Sequence, residues 1–189
     1  QVRMTGEQLP PNHIHYTGPG EFQKQHPEYR CVSPDGQPGR HLSQAFEPVR
    51  AKYVALFREW VEDYRADGIC IVFNRSWPYV LYEQPVLESF KETYGLEMDS
   101  LDFFDERVLA HRASFLTRLL RQTRQMLDEV GQKQGRRLKT AYVIPAVGFA
   151  PENCPDLGPF TTPRSHAMDI KTWVHEGLVD HLVVNIQQV

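Results

Sequence analysis

An unbroken apolar run, Ile69-Cys70-Ile71-Val72-Phe73, limits the folds open to this chain more than any other stretch. It is entered through Asp67-Gly68 and empties at once into Asn74, Arg75, Trp77, Tyr79, Tyr82 and Glu83. Consecutive apolar residues over so short a length are the pattern of a strand covered on both faces, as in the parallel sheets of α/β proteins. In those folds ligands gather at the carboxyl ends of the strands. The polar and aromatic cluster is therefore expected to be a ligand site. The competing reading is a solvated loop, and it is disfavoured because aromatic rings beside an arginine are costly to leave in water without use.

The rest of the chain supplies helices around that strand. Between Glu47 and Arg65 the apolar residues Val49, Tyr53, Leu56, Phe57, Trp60, Val61 and Tyr64 recur at spacings of three and four, which predicts an amphipathic helix with Pro48 in its first turn. A second helix is expected from Pro85, with Leu87, Phe90 and Tyr94 on one face and Gly95 ending it. A short acidic linker, 97–102, leads to the longest helix, over 105–130. Its apolar stripe leaves Arg107, Arg112, Arg118, Arg121 and Arg124 for an outer, solvated face. Two further apolar strands are expected, Thr140–Val147 and Leu178–Ile186, separated by a loop rich in Gly and Pro and a short helix that Asp169 caps and Gly177 closes. Residues 1–46 read as a long loop region with one small hairpin about Ser33-Pro34-Asp35-Gly36.

Strands separated by helical crossovers pair in parallel. The expected fold is thus α/β, a partial (β/α)8 TIM barrel holding about three consecutive middle β/α units, in a domain of roughly 250 residues or more when whole. Residues 1–189 are read as one incomplete barrel domain, with loop and hairpin over 1–46 and β/α units over 47–189. The remainder of the barrel is then the partner that completes the sheet.

Composition narrows function mainly by exclusion. A net charge of -3 without any Lys/Arg block argues against a nucleic-acid surface, which needs clustered cations. No apolar stretch reaches the roughly 18–20 residues needed to span a bilayer, so no membrane span is expected. The cysteines Cys31, Cys70 and Cys154 lack metal-ligand spacing, and His13 with His15 lacks further ligands. Neither a metal nor a cofactor is expected, and nothing in the sequence assigns a compartment.

Several segments together resemble the glycosyl-hydrolase-like family 10 barrel proteins, a bacterial group distinct from the family 10 xylanases. They are His26-Pro27-Glu28-Tyr29-Arg30-Cys31 with Asp35-Gly36, Leu42 to Arg50, Asp67 to Arg75, Pro78 to Pro85, Phe90 with Tyr94-Gly95, and Trp173 to Asp180. The resemblance implies a TIM barrel related to carbohydrate-active enzymes, with 69–73, 140–147 and 181–186 as consecutive middle strands. Many barrels of this wider group carry Asp-Gly-Ile-x-x-Asp on the first of these strands, with the second Asp in the site. The matching position here is Val72, which has no acid to offer.

Hydrolysis of a glycosidic bond needs two carboxyl groups, about 5–5.5 Å apart for retention and about 6.5–9.5 Å for inversion. The candidate catalytic acids are Glu83, which precedes the helix starting at Pro85, and Glu152, in the loop after the second strand. Candidate sugar-binding residues are Asn74, Arg75, Trp77 and Tyr82 at the first strand's end and Asn185 near the end of the third. The leading expectation is a glycoside-hydrolase-like barrel acting on a polysaccharide or glycoside. The alternative is a carbohydrate-binding barrel that lost its strand-end carboxylate at Val72, and a third reading is an unrelated α/β domain in which residues 67–85 only pack.

Overall fold

The computed structural model describes residues 2–3, 20–73, 78–145 and 163–185. Strands β1 (Val2–Arg3), β4 (Gly68–Val72), β5 (Lys139–Pro145) and β6 (His181–Asn185) form one sheet in the order β1-β4-β5-β6, and every neighbouring pair is parallel. The three expected strands are present. β1 is an addition, because two residues cannot show a period of two and the strand is defined only by its pairing with Ile71 and Val72. A separate antiparallel hairpin joins β2 (Arg30–Val32) to β3 (Pro38–Leu42).

Among the described residues the α-helices are α1 (Glu21–Gln25), α2 (Glu47–Glu62), α3 (Gln84–Tyr94), α4 (Glu106–Gln134) and α5 (Ile170–His175). Their ends follow local chemistry. Prolines sit in the first turns of α2 and α3, where a missing N–H costs no hydrogen bond. The Asp105 carboxylate accepts from the Arg107 amide to start α4, and Asp169 accepts from Thr172 to start α5. Gly95 and Gly135 close α3 and α4 at φ of 66° and 65°, a left-handed conformation that a side chain would strain. α2 stops before Tyr64, which is consequently 73% exposed rather than part of the buried stripe.

Among the described residues the helices cover one face of the sheet. Ile69, Ile71, Phe73, Thr140, Tyr142 and Ile144 are buried beneath the helices, and the Phe73 ring lies 5.8 Å from Tyr142 and 5.6 Å from Trp173. Trp173 is itself fully buried and donates its indole N–H to the Thr117 hydroxyl at 2.9 Å. On the other face Cys70, Ala141 and Val143 are half-buried and Val183 is 48% exposed. Within the first strand Val72 is nonetheless buried, at 9% exposure, so the expectation that both of its faces are covered holds at Val72 and fails at Cys70. What looked like a uniform apolar run is an alternation in which the second face also carries apolar residues.

α4 is the centre of the helical layer, packed against α2, α3 and α5. A helix with neighbours on several sides buries more than one stripe. Arg112 and Arg124, expected on the solvated face, are therefore buried at 2% and 8% exposure. Their charges meet oxygen acceptors: Arg112 donates to the Val80 carbonyl, and Arg124 to Asp180, Asp128 and the Leu138 carbonyl. Arg107 and Arg121 remain outside, paired with Asp105 and Glu176.

Candidate functional site

The segment leaving β4 is fixed where it re-enters the described residues at Pro78. The Pro78 carbonyl accepts from the Cys31 thiol at 3.6 Å, that of Tyr79 from the Gln44 amide at 2.8 Å, and that of Val80 from Arg112 Nε and Nη2 at 3.0 and 2.8 Å. The Tyr79 hydroxyl donates to the Phe73 carbonyl at 3.1 Å, folding the segment back over the end of its own strand. Asn74, Arg75, Trp77 and Glu152 lie outside the described residues. Tyr82, Glu83 and Asn185 lie within them.

Glu83 is the N-cap residue of α3 and is fully buried. Its carboxylate accepts from the Leu81 amide at 2.9 and 3.0 Å and from the Val32 amide at 3.1 Å, while the Tyr82 amide donates to the Val32 carbonyl at 2.9 Å. One carboxylate thus stands where a backbone carbonyl would continue the strand ladder, and it ties β2 to the rim segment. Cys31, Ser43 and Arg112 surround it. Arg112 also stacks on Phe103, its guanidinium carbon 4.3 Å from the ring centroid, and Tyr82 stacks on the same ring at 6.3 Å. Tyr82 is 6% exposed and belongs to the main hydrophobic core.

Burial dominates the electrostatics here. It raises the Glu83 carboxyl above its ordinary 4.5, although the amides of Leu81 and Val32 and the Ser43 hydroxyl pull the other way. Burial also pushes the Cys31 thiol well up, with the Glu83 charge adding to the effect, and lowers Arg112 to about 10. A carboxyl raised in the fold binds its proton more tightly there than in the unfolded chain. Its stabilising contribution is present below the ordinary value and is lost as pH rises through the folded one. Glu83→Gln should therefore flatten the fall of stability above pH 4.5, as read from denaturant midpoints at a series of pH values. An undiminished slope in the variant would assign that dependence to other groups.

Asn185 is half-buried and lies opposite Pro145, at the carboxyl end of β6. Its register places it on the less covered face, with Val183 and Val143. Glu83 and Tyr82 turn toward the helices instead, so the described candidates do not converge on one cleft. The sequence reading missed Cys31, Ser43 and Arg112 as the surroundings of Glu83. No local pattern signals them, because the Val32–Glu83 contact spans 51 residues of chain and the Arg112–Val80 contact spans 32.

Among the described residues no group of three or more His, Cys, Asp and Glu side chains is placed to hold a metal ion, and no helix is long and apolar enough to cross a membrane. The chain matches no family model, and no curated protein matches it either.

Proposed function

We propose that the chain is an arc of a glycoside-hydrolase-like (β/α)8 barrel that binds a carbohydrate, with the carboxyl edge of the parallel sheet as the ligand side. The observation that carries recognition over hydrolysis is the row Val72–Val143–Val183, three strands aligned in register on the less covered face. The resemblance leads one to expect an acid at the first of these positions, Val72, and valine neither donates nor accepts a proton. Glu83 is already engaged by backbone amides and has no exposed surface with which to meet a glycosidic oxygen. The barrel reading draws on the strand order, which advances in one direction through β1, β4, β5 and β6 without the reversal of a doubly wound sheet. Further strands beyond the exposed Val183 and Val184 would close it. Binding then falls to Asn74, Arg75, Trp77 and Asn185.

The burial of Tyr79, Tyr82 and Glu83 favours a second reading, an α/β domain in which residues 78–83 only pack. Calorimetric titration of the protein with a panel of neutral and acidic oligosaccharides separates the two. Under the carbohydrate reading Arg75→Ala should weaken binding by about 1.5–3 kcal/mol and Asn185→Ala by about 0.5–1.5 kcal/mol, the ranges for a charged and a neutral hydrogen bond, without lowering the thermal midpoint. Absence of binding across the panel would support the packing reading. Release of reducing ends that disappears in Glu152→Gln would replace recognition with hydrolysis.

A further inference from the structure

We infer that His111 is a pH-operated latch between α4 and α3: neutral, it keeps α3 seated, and protonation loosens α3. The ring projects from α4, is 8% exposed, and sets Nε2 2.7 Å from the Ser89 hydroxyl on α3. Three aromatic rings stand roughly perpendicular around it, Phe90 at 5.2 Å, Phe115 at 5.5 Å and Tyr94 at 6.0 Å. With its proton on Nδ1, the neutral imidazole accepts from Ser89 through Nε2, and the Val86 carbonyl serves as a second partner from α3.

Adding a proton reverses that arrangement. Both ring nitrogens become donors, so the Ser89 hydroxyl must turn its hydrogen away, and a charge appears inside an aromatic enclosure. The groups facing the ring from α3 are Ser89, Tyr94 and the Val86 carbonyl. From α4 they are Phe115 and Arg118, and Arg118 is the one charged side chain among the described residues that bears on the ring. That charge has the same sign as an imidazolium. Burial, reinforced by Arg118 and opposed by the Val86 carbonyl, keeps the imidazole below its ordinary 6.5. A histidine depressed in the fold contributes stability above its ordinary value and loses it as pH falls through the folded one.

Glu83 does not produce the same response, since its raised carboxyl accepts a proton with the opposite sign on stability.

Amide hydrogen exchange of the whole chain at pH 7.5 and 5.5, corrected for intrinsic rates, tests the latch. Residues 86–94 should lose more protection on acidification than the carboxyl-terminal half of α4, the sign expected for an imidazole whose pKa is lowered in the fold. The excess should vanish in His111→Gln and persist in Glu83→Gln. An NMR titration of the His111 ring should give a midpoint below 6.5, and it serves even where His111→Gln fails to fold. Equal protection of α3 at both pH values, an excess loss that survives in His111→Gln, or a wild-type midpoint at or above 6.5 would overturn the inference.

Discussion

Arg112→Ala should destabilise the fold by about 3–5 kcal/mol, the range for emptying a large buried site and for stripping a buried charge of its surroundings. The variant removes two hydrogen bonds to the Val80 carbonyl and the guanidinium that stacks on Phe103. It also removes a buried cation on which the Glu83 charge acts favourably. Arg112→Lys should recover only part of the loss, because one ammonium cannot reproduce the Nε and Nη2 fork on a single carbonyl. Urea midpoints with unchanged slopes would report the effect directly. A loss below about 1 kcal/mol would mean that Arg112 is an ordinary surface arginine that happens to be covered.

Gly68→Ala should be at least as disruptive, although it adds only a methyl group. A Cβ built there would lie 2.0 Å from the Lys139 carbonyl oxygen and 2.8 Å from the carbonyl carbon and amide nitrogen of the same residue. Those are backbone atoms of the paired strand and cannot rotate aside. β4 and β5 would have to part where their ladder begins, at the Gly68–Lys139 pair. We expect a cost of about 3 kcal/mol or more, at and beyond the upper end of ordinary overpacking, with faster exchange of the amides of Ile69 to Tyr142 that pair the strands. A thermal midpoint within a degree or two of wild type would show that the strands can separate there at little cost.

The helices were legible because their signals are local. Repeats of three and four, prolines in the first turns of α2 and α3, Asp169 as a cap, and Gly95 as a stop all act within a few residues of where they stand. Parallel pairing was legible for a related reason, since helical crossovers leave few other arrangements. Arg112 and Arg124 were misplaced because a single-stripe reading assigns every intervening residue to water, whereas α4 has packed neighbours on several sides. Glu83 was assigned to the rim from its position between an aromatic segment and a proline. Its burial is decided by the amide of Val32, far away in the chain. Asn185 was easier, because alternation along a short strand sets its face as soon as the register is known.

The carboxylate that takes the place of a carbonyl between β2 and the rim bears on where this chain tolerates changes of length. The hairpin is fastened at its base through the Ser43 amide to the Tyr29 carbonyl, and beside its turn through the Val32 amide to Glu83. Residues 34–38 at its tip are exposed. An insertion or deletion at the tip alters only the reach of a surface turn. One residue added between Cys31 and Val32 would instead shift the pleat by one step, sending the buried thiol outward and carrying the amide away from Glu83. Variation in hairpin length among sequences sharing this joint should therefore be confined to the tip, and that makes the tip the place to graft a foreign peptide onto the carboxyl rim of the sheet.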